Sequence, residues 1–195
     1  RRLMTDKKQY RFCVLVPAYR EEGRIGKTVA AIMPHCSDVV VVDDGSPDRT
    51  AEEAERSGAI LLRHGVNRGK GAALDTGFKY VRDKQYEFVI TMDGDGQHAA
   101  EDIPKFVEAY RKGDCPVLIG NRMANPGAMP LVRRLTNRFM SRLLSRRIGQ
   151  VVPDTQNGYR LYSRDSLPMA AVKSGRFAAE SEILMSLGRQ GVRMG

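Results

Sequence analysis

The sequence predicts a single α/β domain, built as a mostly parallel sheet with helices on both faces. Short apolar runs rich in β-branched residues alternate with longer segments of helical spacing. The runs carry almost no polar alternation, as strands covered on both faces do. At 195 residues the chain has room for one ordinary domain.

Taken in order, Phe12 to Val16, Val39 to Val42, Ala59 to Leu62, Phe88 to Met92 and Val117 to Ile119 read as strands. Arg24 to Met33, Asp48 to Ser57, Gly71 to Lys84 and Ala100 to Lys112 read as the helices between them. This cadence implies right-handed crossovers. Ligands of such sheets bind beyond the carboxyl ends of the strands, so the chemistry is expected just after each apolar run. What stands there is three acidic clusters and one basic one: Pro17 to Gly23, Asp43 to Asp48, Asp93 to His98, then Gly120-Asn121-Arg122.

Composition narrows the classes. With 42% hydrophobic and 28% charged residues the chain is neither disordered nor fibrous. No apolar run approaches the about 20 residues of a membrane helix, and the charged opening has no signal-peptide core behind it. The expectation is a soluble intracellular domain, cytoplasmic and without a signal peptide. Cys13, Cys36 and Cys115 suit neither a zinc clip nor a disulfide framework, and Cys13 and Cys115 are expected to be buried small hydrophobes. The net charge of +9 is localised: between Cys115 and Pro153 there are seven arginines and no acid. Confined charge of this kind points to an anionic partner at that place.

Asp93-Gly94-Asp95 is the sharpest signal, because two carboxylates around a glycine can aim oxygens at one hard cation such as Mg²⁺ or Mn²⁺. Gln97 offers a further oxygen, and a plain surface turn is the bland alternative. Asn67-Arg68-Gly69-Lys70-Gly71 satisfies neither the Walker nor the dinucleotide pattern and reads first as a tight turn into the third helix, with Lys70 in reach of a phosphate. In Asp43 to Asp48, Ser46 or Asp48 can cap the next helix. Asp43 and Asp44 stand at a strand end where a carboxylate can accept from a ribose or a base N–H. In the acid-free segment Arg134, Arg138, Arg142 and Arg146 repeat every four residues as one basic stripe. Leu131, Leu135, Phe139, Leu143 and Ile148, with Met140 and Leu144, line the other side of that helix. This favours a membrane surface or phosphate groups over nucleic acid, since aromatics are sparse. A solvated face over a core stripe is the plain alternative. His98 stands close enough to help hold the Asp loop, while His35 and His64 are read as structural.

These motifs in this order resemble a family 2 glycosyltransferase of the dolichol-phosphate mannose synthase and polyprenyl-phosphate glycosyltransferase branch. The matching elements run from Val14-Leu15-Val16-Pro17-Ala18-Tyr19 with Glu21, through the Asp43, Asn67, Asp93 and Gly120 clusters, to Asp154-Thr155-Gln156-Asn157-Gly158-Tyr159-Arg160 and the pair Glu180 and Glu182 after Phe177. The resemblance implies a GT-A-type, Rossmann-like fold, a sugar-nucleotide donor linked to UDP or GDP, and Mg²⁺ or Mn²⁺. It implies that Pro17, Tyr19, Glu21, Val42 and Asp44 hold the nucleoside. Asp93, Gly94 and Asp95 would hold diphosphate and metal, with Gln97 as a further metal ligand. Asp95 and Arg122 would carry catalysis, Arg122 reaching the diphosphate or an acceptor phosphate.

The implied reaction is metal-dependent, inverting transfer of a hexose to a polyprenyl or dolichyl phosphate. The implied setting is the cytoplasmic face of a membrane, reached through the Arg-rich helix or an anchoring subunit, with no nucleic acid as partner. One alternative is transfer to a saccharide or glycolipid hydroxyl, with Asp154 as base. Another is a non-catalytic basic module binding nucleic acid or membrane. The expected layout is an N-terminal extension over 1–10 and a catalytic domain over 11–195, lacking the C-terminal strand and basic lid loop of its relatives.

Overall fold

A computed structural model describes residues 10–113, 115–122, 131–170, 172 and 179–195, the side chains of Leu131 and Arg133 excepted. Residues 1–9 of the expected extension and Phe177 lie outside the described residues. The strands are β1 (Phe12–Ala18), β2 (Val39–Asp43), β3 (Ile60–Arg63), β4 (Phe88–Thr91), β5 (Val117–Ile119) and β6 (Arg160–Ser163). The helices are α1 (Ile25–Ile32), α2 (Thr50–Arg56), α3 (Lys70–Asp83), α4 (Ile103–Arg111), α5 (Leu131–Ile148) and α6 (Ala179–Arg189). One sheet runs in the order β3-β2-β1-β4-β6-β5. The first four strands are mutually parallel, with Val14 facing Val39 on one side and Ile90 on the other.

The sheet is covered on both faces, as the unbroken apolar runs require. Successive residues of β1 divide between the two cores. Cys13 and Leu15 meet Phe78 and Val81 of α3, Ile148 of α5 and Ile183 of α6. Val14 and Val16 meet Ile25 and Val29 of α1, Ala54 of α2 and Ile103 of α4. Each such fully buried aliphatic side chain contributes about 1.5–3 kcal/mol relative to exposure. All three thiols are free. Burial pushes Cys13 up, and Cys36 up to about 11. Cys115 is half-buried rather than buried, a correction to the expectation.

The expected elements are all present, their ends moved by at most three residues. The fourth helix is preceded by a 3-10 turn over Ala100–Asp102, with Pro104 in the first turn of α4. Strand β6 was not expected. It pairs antiparallel with both β4 and β5, so β5 points the same way as β4 without touching it. Its sequence hides it, because a strand beginning Arg160-Leu161-Tyr162-Ser163 has no apolar run to read. Arg160 is fully buried, and its guanidinium donates to the carbonyls of Asn157 (2.7 Å), Thr155 (2.9 Å) and Glu180 (2.9 Å).

Helix α5 forms as its spacing predicts, but its apolar positions divide. Leu144 and Ile148 are buried with Asn137 and Ser141, whereas Leu135, Phe139 and Leu143 are exposed. The core therefore claims a partly polar seam of this helix, and much of the apolar stripe faces outward.

Candidate functional site

In the strand order, the chain passes from β1 outward to β2 and β3, then returns to place β4 on the other side of β1. Crevices of doubly wound sheets open at such a reversal, at the carboxyl ends of the strands. A cavity of about 420 Å³ lies there. Its wall includes Pro17 near the end of β1, Tyr19 and Glu21 after it, Asp44 after β2, Asn67, Gly69 and Lys70 at the start of α3, and Asp93, Gly94 and Asp95 after β4. Seven expected donor-site residues thus come together. Val42 does not line the cavity: its side chain is fully buried in the core on the α3 face.

Each wall residue is held by chemistry that its type supplies. The Glu21 backbone N–H donates to Thr50 Oγ1 at 2.8 Å, and Arg24 pairs with the Glu21 carboxylate at 2.8 Å. Burial pushes the Glu21 carboxyl up against the pull of Arg24, and Asp95, Asp48 and Asp93 push it further. Asp44 has three polar partners. It accepts from the backbone N–H groups of Arg68 (2.9 Å) and Gly69 (2.7 Å), and lies 2.6 Å from His64 Nδ1. It therefore orders the loop into α3 while lining the cavity. His64 also meets Thr76 at 2.9 Å, the structural role expected of it. Gly69, at φ 89°, makes the tight turn before Lys70. Asp48 accepts from the Thr50 N–H at 3.1 Å, although the N-cap of α2 is Arg49, which makes no side-chain cap bond, while Ser46 accepts from the Arg20 N–H at 3.0 Å.

Asp93 sits at the centre. Lys70 Nζ lies 2.5 Å from one of its oxygens, and His98 Nε2 is 3.3 Å from the other. Lys70 also pairs with Glu180 of α6, a contact the sequence reading missed. Burial opposes the Asp93 charge, but the His98 hydrogen bond and the Lys70 ammonium outweigh it and hold the carboxyl well below its usual range. The same two acids raise Lys70 against its own desolvation. Gly158, at the entry to β6, backs the carboxylate: a Cβ there would stand 2.9 Å from both Asp93 oxygens. Asp95 accepts from the Gln97 backbone N–H at 3.0 Å.

Hard carboxylate oxygens at Asp93 and Asp95, in a cavity shared with Glu21 and Asp44, fit a small divalent cation. Among the described residues no group of three His, Cys, Asp or Glu side chains closes around a metal. A cation held by this pair would complete its shell with phosphate oxygens and water, as Mg²⁺ commonly does. Gln97 is exposed and lines the neighbouring cavity, with its backbone N–H on Asp95.

That second cavity, about 620 Å³, opens beside β5 and is lined by Gln97, His98, Lys105, Phe106, Asn121, Arg122, Asn157 and Tyr159 among others. Arg122 is clamped there. Its Nε donates to Asp154 Oδ2 at 2.8 Å and a terminal nitrogen donates to Oδ1 at 3.1 Å. Asp154 is fully buried, and both its oxygens are taken. This paired carboxylate raises the Arg122 pKa against desolvation. Two of the five guanidinium N–H groups are used, leaving the others for an anion. Asn157 donates to the Gly120 carbonyl at 2.6 Å, tying the two loops together.

A family model described as glycosyl transferase family 2 matches residues 13–168. An uncharacterized protein of Methanocaldococcus jannaschii is 36% identical over 190 residues, 93% of this chain and 77% of its own length. A UDP-N-acetylglucosamine–dolichyl-phosphate N-acetylglucosaminyltransferase of Methanococcus voltae is 29% identical over 98% of this chain and 84% of its own. Among solved structures, glucosyl-3-phosphoglycerate synthase of Mycobacterium tuberculosis, in complex with Mn²⁺, uridine diphosphate and phosphoglyceric acid, superposes with a TM-score of 0.72 at 22% identity. That match covers 93% of this chain and 65% of the synthase, so the chain spans just under two thirds of its solved neighbour.

Proposed function

The chain belongs to glycosyl transferase family 2, and from that membership we propose that it moves a hexose from a UDP- or GDP-linked donor to a polyprenyl or dolichyl phosphate, with inversion and with a divalent metal. Residues 11–195 form the catalytic domain in this reading, working at the cytoplasmic face of a membrane. The Methanococcus voltae relative, named for a dolichyl-phosphate acceptor, supports the substrate class. The Mn²⁺ and uridine diphosphate of the solved neighbour support the metal and a nucleotide donor.

The observation that carries the choice of acceptor is the state of Asp154. A hydroxyl acceptor needs a general base within reach of its proton. Asp154, the base that reading requires, is buried with both oxygens on Arg122. A phosphate acceptor needs none, because its second pKa is near 6 and it arrives ionised. Arg122, oriented by Asp154, would present its remaining N–H groups to that phosphate. Tyr19 and Glu21 would orient the nucleoside from the β1 end. Lys70, already against Asp93, would stand beside the donor phosphates. Asp93 and Asp95 would hold the cation, which when bound neutralises charge gathering on the leaving diphosphate. Attack by the acceptor oxygen from the face opposite the diphosphate inverts the anomeric carbon.

Calorimetric titration of UDP and GDP, each with and without Mn²⁺, tests the donor half. Metal-dependent binding of one nucleotide is expected, and binding of neither by the folded protein would sink the reading. Transfer assays with a polyprenyl phosphate against the matching polyprenyl alcohol test the acceptor half. Equal use of the alcohol would restore a base-dependent mechanism.

A further inference from the structure

Five of the eight large hydrophobic side chains exposed among the described residues belong to one short stretch: Val132, Leu135, Phe139 and Leu143 of α5, and Val151 just after it. Their exposures run from 46% to 86%. At about 100° per residue, the four on α5 lie opposite the buried seam of Asn137, Ser141, Leu144 and Ile148. Clustered exposed apolar side chains on one helix face mark a contact surface, unlike single scattered ones. Beside them stand exposed Arg138, Arg142 and Arg146 on one flank and Arg147 on the other. The three on one flank line a groove of about 620 Å³ with Ser141, Ser145 and Val151 to Pro153.

We propose that this face of α5 docks onto an anionic lipid bilayer, with Leu135, Phe139 and Leu143 entering the headgroup–acyl boundary and the arginine groove taking lipid phosphates. An interfacial helix has this make-up: an apolar strip at the boundary and cations beside it. Charge complementarity selects the occupant. A second copy in a two-fold contact would set the same patch against itself, placing one arginine row near its like with no acid between 115 and 153 to offset it. Single-stranded nucleic acid needs a row of stacking aromatics, and Phe139 is the one aromatic in this patch. The inference deepens the membrane setting of the proposed function by naming the face that makes the contact, and its observations hold whether or not the acceptor is a lipid.

Cosedimentation of the whole chain with phosphatidylcholine vesicles, with and without phosphatidylglycerol, tests it. Binding is expected only to the anionic vesicles and to weaken with salt. Replacing Arg138, Arg142 and Arg146 by Gln is expected to lower the partition coefficient about fivefold each and about a hundredfold together. The double variant Leu135→Ser, Phe139→Ser is expected to lose binding at every salt concentration. Both variants change exposed side chains only, so thermal unfolding and nucleotide titration should match the parent protein. Several outcomes overturn the proposal: no binding by the parent protein, binding that either variant retains in full, displacement from vesicles by an oligonucleotide, or a dimer in sedimentation velocity that the double variant splits. Nucleotide binding tests the transfer reading separately, so failure of one does not imply failure of the other.

Discussion

In the β3-β2-β1-β4 half of the sheet, the site residues follow the strands: Tyr19 to Glu21 leave β1, Asp44 leaves β2 and Asp93 to Asp95 leave β4. In the β6-β5 half the site is built from both chain directions, with Arg122 leaving β5 and Asp154, Asn157 and Gly158 entering β6. The antiparallel strand makes this possible, since its amino end lies on the same edge as the carboxyl ends of its neighbours. The charges differ as well. The parallel half presents Glu21, Asp93 and Asp95, whereas the antiparallel half presents a guanidinium whose own acid is buried behind it. One half is thus suited to a cation and the other to an anion.

The sharpest way to break that division is to take the charge from one half alone. Asp95→Asn is expected to reduce transfer about 10³-fold, or about 4 kcal/mol, and to abolish metal-dependent nucleotide binding. The side chain is half-exposed with a single backbone partner, so the urea midpoint should hold to within about 0.5 kcal/mol. Transfer within tenfold of the parent would remove Asp95 from the site. The antiparallel half rests instead on Arg160. Arg160→Met strands the carbonyls of Thr155, Asn157 and Glu180 and should cost about 3 kcal/mol of stability in urea titration. A cost under about 1 kcal/mol would mean that these carbonyls find other partners.

The two halves touch at Gly158, where a smaller effect is expected. Gly158→Ala crowds the Asp93 carboxylate from the β6 side and should lower transfer about thirtyfold, with a matching loss of Mn²⁺-dependent UDP or GDP affinity. Wild-type metal affinity in this variant would show that Asp93 moves freely. Smaller still is a pH effect. The native Asp93 carboxyl lies below its usual range, so the unfolded chain takes up that proton first as pH falls. The stabilisation is full above about pH 4 and fades toward more acid values. Comparing urea midpoints with Asp93→Asn from pH 7 to pH 2 should show a gap that closes only on the acid side. A gap that instead opened below pH 4 would contradict the ion pair with Lys70 and His98.

The same division decided what could be read from the chain. Parallel strands covered on both faces leave apolar runs in the sequence, and the residues just beyond Val16, Val42 and Met92 were therefore legible as site residues. Strand β6 leaves none, because Arg160 is buried by carbonyl partners that are fixed only in three dimensions. Without β6, the contacts of Gly158 with Asp93 and of Glu180 with Lys70 had no visible cause. The motif containing Asp154 to Arg160 was present as a resemblance, but its place on the edge was not. Asp44 shows the converse: its place at the site was legible and its hold on the next loop was not, since its partners at His64, Arg68 and Gly69 come from a loop 20 to 25 residues away. Helix α5 was legible as a helix with two kinds of face. Which apolar positions the core would claim depended on the loop that follows it.

That loop has a geometric role. Ser141 accepts from the Thr155 N–H at 3.0 Å and Ser145 accepts from the Val152 N–H at 2.9 Å, which ties the Asp154 loop to α5. With the outer face of α5 resting on a bilayer, the cavity beside Arg122 would inherit a fixed tilt and height above that plane. A partner confined to the same plane would then be met by sliding in two dimensions instead of tumbling in three. Shortening or loosening either serine contact would leave the helix attached while the site lost its bearing, separating adhesion from orientation.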